Sequence, residues 1–389
     1  MPDNGPRRGA ADRAGTWPGT RFLAALALAW SGAAAAAPAA RVDVQYIGEA
    51  LRTVSGGLAR GDVYDGNLYL EGDLRTGAAG WWAGGHVHAA FLNIISGQPS
   101  PTLIGDEQGA SNIAAANRTD LYSFWYRQRL DHGRIAMLAG LRAINGSFAY
   151  SSYADAFVNS SFGIVPTVSL NAPSSIWPQL GLGAQISYRP DRQWRVLTGL
   201  FQGDPAQREA PFGAGAMSIT EVDWQRAGVY RGTYKVGFWY DRAHRAPVLA
   251  DTASSADAGF YMDADQVIWH GRGRRRLGAF VQLSNALGRN NLVNRYAGIG
   301  LLALGWFPRH PGSAIGLAIA SAHNSPWARQ ALGIPAAETA FELTGLFTVN
   351  RMLTVQPDLQ YIEGPSAQAR VPDALVAILR VTLNFGGAA

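Results

Sequence analysis

The connections of this chain constrain its fold more tightly than the segments they join. Period-two alternation bounded by turn residues marks Val42–Val54, Gly66–Arg75, Ala83–Ile95, Thr119–Leu130, Arg134–Leu141, Leu182–Arg189, Trp194–Gly203 and Ala216–Gln225 as strands. It continues through Thr233–Arg242, Gly259–His270, Leu277–Ala286, Arg295–Trp306, Ala314–Ala322, Thr339–Val349, Leu353–Glu363 and Ala374–Phe385. Short turns fall at Asp131–Gly133, Pro190–Arg192, Pro308–Gly312 and Asn350–Arg351. Between them lie long, polar or proline-rich connections at Ser96–Arg118, Ala143–Gly181, Asp204–Gly215, Ala243–Ala258, His323–Glu338 and Gly364–Asp373. A soluble sandwich has no reason to alternate short with long. A transmembrane barrel does, with tight turns on one rim and longer loops on the other. The expected fold is all-β: an antiparallel outer-membrane barrel of about sixteen strands, with both termini on the short-turn rim.

The strand faces agree. In Thr233–Asp241, Tyr234, Val236, Phe238 and Tyr240 oppose Lys235, Gly237, Trp239 and Asp241. In Leu353–Tyr361, Val355, Leu359 and Tyr361 oppose Gln356, Asp358 and Gln360, and in the last segment Leu379, Val381, Leu383 and Phe385 oppose Arg380, Thr382 and Asn384. One face suits lipid and the other a wet lumen, and closure leaves no unpaired backbone in hydrocarbon. Tyr46, Trp194, Trp269, Trp306 and Tyr361 fit interfacial girdles. Pro357 cannot donate to a ladder and suggests a bulge.

The first 39 residues read as a signal peptide. Arg7, Arg8, Arg13 and Arg21 form a basic region, Leu23–Ala37 an apolar one, and small residues follow, with cleavage expected near Ala39. Residues 40–389 are then one barrel domain. Removing four arginines and two aspartates with the leader, from 33 basic and 28 acidic residues, leaves 29 against 26 and a net charge of +3. That argues against a nucleic-acid binder, which would show a strong basic patch. Arg274–Arg276 reads as a solvated turn. There is no cysteine, so neither disulfides nor a cysteine zinc site contribute.

Catalytic patterns are missing. The chain has no G-x-S-x-G, H-E-x-x-H or P-loop, and its seven histidines are scattered. His86 and His88 face one way from a single strand, but without a third ligand they read as polar lumen residues. No catalysis, metal or cofactor is expected. The positive signal is a lumen carrying arginine, carboxylate, amide and aromatic side chains together. Sugars present hydroxyls to planar donors and acceptors, and C–H faces to aromatic rings. Candidate lining residues are Trp125, Arg127, Arg129, Arg142, Asn145, Lys235, Trp239, Asp241, Asp265, Glu342, Gln356, Asp358, Gln360 and Arg380.

In the longest connection, about residues 143–181, alternation stops, yet aromatic and aliphatic residues abound between Phe148 and Trp177. A loop this long is functional or disordered, and this apolar content argues for packing. It is expected to fold into the lumen and narrow it. Phe157 and Phe162 would hold its shape while Asn159, Ser160 and Ser161 face passing sugar.

Phe157-Val-Asn-Ser-Ser-Phe-Gly-Ile-Val-Pro166 resembles the FxNSSFGxxP pattern of the carbohydrate-selective porins of the OprB family. Gly105-Asp106 with Ser111–Ile113, Gly232–Tyr240, Glu342–Thr344 and Gln356–Tyr361 agree, so the resemblance runs from about Val42 to Phe385. It implies passive uptake of small sugars through an outer-membrane barrel with loops folded into the channel. The implied surroundings are membrane lipid, lipopolysaccharide and the barrel assembly machinery, with a homotrimer as the assembly to test. A general or anion-leaning porin is the alternative, and an enzyme built on a barrel a further one. The chain departs from the family at Ala143 and Ser147, where acidic residues are common, and at Gly345, where tyrosine is.

Overall fold

The computed structural model describes residues 39–242, 256–288, 291–310 and 312–386. The expected leader, up to residue 38, and most of the Ala243–Ala258 connection lie outside them. The described chain contains β1 (Ala40–Ser55), β2 (Gly61–Arg75), β3 (Gly85–Ser96), β4 (Arg118–Leu130), β5 (Ile135–Leu141), β6 (Leu182–Tyr188), β7 (Trp194–Gln202) and β8 (Ala216–Arg226). It continues with β9 (Gly232–Asp241), β10 (Asp257–His270), β11 (Arg276–Ala286), β12 (Val293–Leu304), β13 (Ala314–Asn324), β14 (Ala337–Thr348), β15 (Leu353–Glu363) and β16 (Ala374–Gly386). Every strand pairs antiparallel with its sequence neighbours, and β1 closes on β16 with Val44 opposite Phe385. The sixteen expected strands all form, in order. Closure removes the edge that an open sheet would expose.

The alternation of connections follows from this topology. The turns after β4, β6, β8, β10 and β14 share a rim with both ends of the barrel, and the long loops after β3, β5, β7, β13 and β15 share the other. Pro357 behaves differently from expectation. It holds continuous register opposite Leu379. Its ladder to β14 lapses between Asp358 and Val355 and then resumes unshifted, giving a gap where a bulge was expected.

Alternation also sorts the faces. Val236, Phe238 and Tyr240 of β9 are exposed, whereas Lys235, Trp239 and Asp241 are buried. The outer surface carries the expected aromatic girdle, with Trp269 stacked on Trp306 at 5.8 Å between ring centroids and the Arg275 guanidinium over Trp306. The inner face departs from the simple wet-lumen expectation. Leu51, Phe280, Tyr296, Leu302, Val376 and Ile378 lie inside the barrel and are nearly inaccessible. They are buried because two long loops turn inward and form an apolar core with the wall. Two glycines make the close approach possible. A Cβ on Gly278 would stand 2.6 Å from the Tyr153 ring, and one on Gly316 2.6 Å from the Phe157 ring. The barrel is thus packed like a globular protein over much of its circumference, and larger side chains at those positions would displace the loop.

The rim assignment can be checked on whole cells. Single cysteines at Gly133 in the turn after β4 and at Gln330 in the helix Pro326–Leu332 should respond differently to an impermeant maleimide. Gln330→Cys is expected to label and Gly133→Cys is not; the opposite pattern would invert the barrel.

Candidate functional site

Each inward loop is held by wall carboxylates that accept its backbone N–H groups. Glu342 of β14 accepts from Val158 (2.6 Å) and Asn159 (3.0 Å). Asp265 of β10 accepts from Ser152 N (2.8 Å) and from the Ser151 and Ser152 hydroxyls. Glu221 of β8 accepts from Ala149 N at 2.7 Å and from the Tyr261 hydroxyl at 2.8 Å. The loop after β3 is held the same way. Glu338 accepts from the backbone N–H groups of Glu107 and Gln108, and from that of Ser366 in the loop after β15, and Glu49 accepts from Ser111 Oγ and Arg380 Nε. The two loops then pair with one another, Asn112 N donating to Val158 O (2.9 Å) and Ser160 N to Gly109 O (2.8 Å). Phe157, Phe162 and Phe280 cluster at 5.1–5.6 Å between centroids, so the two loop phenylalanines pack against the wall as well as each other.

This arrangement reassigns most of the residues expected to line the channel. Asn159 is wholly buried, donating to Gln360 Oε1 (3.1 Å) and accepting from Ser161 N (3.0 Å). Ser161 is buried on Gln108, and only Ser160 of that trio keeps open surface. Gln356 donates to Ala156 O, Gln360 to Ala110 O and to Asp358, and Arg380 to Glu49 and Asn112. Lys235 donates to Tyr150 O at 2.6 Å, with its Nζ 5.6 Å from the centre of the Tyr150 ring. Trp239 and Asp241 are buried too. The alternation identified the inner face correctly, but whether an inner side chain meets water or a folded-in loop has no periodicity. Gln356, Gln360, Arg380 and Lys235, with Asp265 and Glu342, anchor the loops.

Open inner surface remains mainly on β2 to β5 and on β7. Its centre is Trp125 of β4, with a second correction. Only 6% exposed, the ring offers no free platform to a sugar. His88 stacks on it at 4.9 Å and 19°, His86 meets it edge-on at 5.0 Å, and the guanidiniums of Arg142 and Arg127 lie 5.1 and 5.7 Å from its centre. The ring is a mount for two cations, each contributing about 0.5–2 kcal/mol through the aromatic quadrupole. Arg142 is further fixed by donating to Gly146 O at 2.8 Å. Arg129, two residues beyond Arg127 on the same face, is exposed, and Asn145 is half-buried in the turn that opens the loop.

Acceptors stand beside these donors. Asp73 of β2 accepts from both His86 Nε2 (2.6 Å) and His88 Nδ1 (3.1 Å), and Glu71 precedes it on the same face. Arg195 of β7 pairs with Asp223 at 2.5 Å, and Arg118 with Asp120 on β4. From the loop, Tyr150 exposes its ring and donates to Asp155 Oδ2 at 3.3 Å. Burial, chiefly, and then the Asp155 charge push its hydroxyl up to about 12, so it stays a donor at neutral pH. Sequence reasoning passed over Asp73, Glu71 and Tyr150; the match of Asp73 to the His-x-His pair across β2 and β3 was the available signal.

The model of the carbohydrate-selective porin, OprB family, matches residues 59–385. Porin B of Pseudomonas aeruginosa is 27% identical over 255 residues, 54% of this chain and 56% of that protein. The match therefore spans about half the length of that curated relative. The high-pH structure of Pseudomonas putida OprB superposes with a TM-score of 0.80 at 21% identity, covering 95% of this chain and 97% of that one. A Rh. blastica porin variant superposes with a TM-score of 0.55 at 8% identity, covering 89% and 100%. At these identities the structural likeness is one of fold.

The anchoring can be tested at Glu342. Glu342→Ala leaves two backbone N–H groups without their acceptor, at about 1.5–3 kcal/mol for each charge-assisted bond, while the closed ladder keeps the barrel folded. Single-channel recording should show larger conductance and more open-channel noise, with heat-modifiable electrophoretic mobility retained. A wild-type current trace would mean that this carboxylate does not hold the loop.

Proposed function

The chain belongs to the OprB family of carbohydrate-selective porins, and on that premise we propose that it passes small carbohydrates across the outer membrane by passive diffusion. The observation that carries this reading is the Trp125 cluster. Arg127 and Arg142 lie over its ring, with no carboxylate paired to either among the described residues, and Asp73 and Glu71 stand alongside. Neighbouring sugar hydroxyls accept from a guanidinium and donate to a carboxylate, so one polyol satisfies both. The exposed Tyr150 ring adds a surface for sugar C–H groups. Binding at such a site is weak, as transport requires, since entry must be favourable while exit stays fast. The channel needs neither catalysis nor a cofactor for this. The proposal includes insertion by the barrel assembly machinery, contact with lipopolysaccharide and a homotrimeric assembly.

A second reading, anion-leaning diffusion, is favoured by the charge of the open surface. Among the described residues, Arg127, Arg129 and Arg142 lie there without the carboxylate pairing that occupies Arg118 and Arg195. The two readings are compatible, because guanidiniums attract anions and bind hydroxyls alike.

Liposome swelling separates them. Neutral monosaccharides and short oligosaccharides should permeate faster than amino acids of matched size; equal rates would reduce the channel to a general porin. Arg127→Gln should weaken sugar block of single-channel current by about 1 kcal/mol, a roughly fivefold rise in half-blocking concentration. Changing Arg127 and Arg129 together to Glu should move the reversal potential in a salt gradient toward cation preference with the barrel still folded. An unmoved reversal potential would place both residues away from the constriction.

A further inference from the structure

His86 has a role that neither the sugar site nor the barrel requires. It stands between Asp73 and Arg127, with Nε2 at 2.6 Å from the carboxylate and Nδ1 at 3.0 Å from the guanidinium. A guanidinium only donates hydrogen bonds, so Nδ1 must accept and carry no proton. Nε2 then carries the proton and donates to Asp73. The ring is therefore locked in one neutral tautomer, and the chain Asp73–His86–Arg127 runs from β2 through β3 to β4 with a direction. We propose that His86 is a positioning residue for Arg127: as the neutral tautomer it holds the guanidinium over Trp125, and its protonation releases it, making sugar engagement pH-dependent.

The chemistry is direct. A proton added to Nδ1 turns the acceptor into a donor, so an N–H faces an N–H and two cations stand at hydrogen-bonding distance. The second proton also strengthens the ring's bond to Asp73. The imidazolium therefore stays with the carboxylate, and Arg127 leaves. Other charged groups face the same space. From β2 these are Glu71, Asp73 and Arg75, the last directly opposite His86, from β3 His88, from β4 Arg129, and from the loop Arg142. His88 differs in that it reaches Asp73 through Nδ1 and, among the described residues, no arginine donates to it. Its protonation adds charge without breaking a bond.

The inference rests on the proposed sugar channel, and the test keeps the two apart. Current block by maltotriose is measured on single channels between pH 7.5 and 5.0 in wild type, His86→Gln, His86→Phe and Arg127→Gln. The Gln amide accepts from Arg127 and donates to Asp73 at any pH, so His86→Gln should show a half-blocking concentration independent of pH. The wild-type value should rise about fivefold as pH falls, approaching that of Arg127→Gln. His86→Phe should be raised at every pH, and heat-modifiable mobility reports folding throughout. A wild-type curve flat with pH, or a pH response that survives in His86→Gln, overturns the proposal. If maltotriose blocks at no pH, the sugar reading fails, and reversal potentials decide instead. Wild type should then become more anion-selective than His86→Gln below pH 6, and coincident curves would overturn the positioning role.

Discussion

Everything inside this barrel depends on finding partners for loop backbone that has left water. A chain folded into a lumen carries N–H groups that the wall ladders cannot pair, and each one buried unpaired costs about 1–3 kcal/mol, more than a typical hydrogen bond contributes net. The wall supplies carboxylates in reply. Glu342 takes two consecutive N–H groups and Glu338 three, while Asp265 and Glu221 take others along the loop after β5. A carboxylate suits the task because it only accepts and offers about four lone-pair sites. A buried carboxylate without donors would in turn be untenable. Loop and wall therefore need one another, and the apolar cluster of Phe157, Phe162 and Phe280 adds burial to a placement already set by polar groups.

The anchoring also decides where the channel runs. The loops occupy the side of the lumen bounded by β8 to β16 and β1, so solvent keeps the side bounded by β2 to β5 and β7. Charged groups on the filled side act as structural supports. On the proposed function, those on the open side, above all Arg127 and Arg142 on the Trp125 mount, face what passes through, and size exclusion and recognition come from a single feature, the space left between the loops and this wall. A fixed constriction needs a rigid loop, which the paired loop–loop and loop–wall bonds provide.

Much of this was legible in the sequence. The strands, their order and their faces followed from alternation, because closure in a membrane forces a two-residue period on every segment. The inward loop followed from the apolar content of Phe148 to Trp177. The division of labour on the inner face did not. Lys235, Gln360 and Arg380 have the same polarity and parity as Arg127, yet they bind loop atoms from residues 110 to 150. Nothing local in β9, β15 or β16 marks those distant partners. Trp125 was found but misjudged, since its role depends on His88 across the ladder and on Arg142, both remote in sequence. Pro357 shows the reverse limit: a residue that breaks ladder pairing need not shift the register when the partner strand on its other side keeps it.

The central claim is that the loops fill one side of the lumen and leave the other open, and thiol accessibility in single channels tests it most directly. Ala136 of β5 lies opposite Arg129 on the open inner wall, and Ala340 of β14 lies between Glu338 and Glu342 beneath the loops. Both are small, so a cysteine disturbs either site little. With a small charged methanethiosulfonate reagent, Ala136→Cys should show a stepwise change in conductance and Ala340→Cys none. Modification of both at similar rates, or of Ala340→Cys alone, would contradict the account.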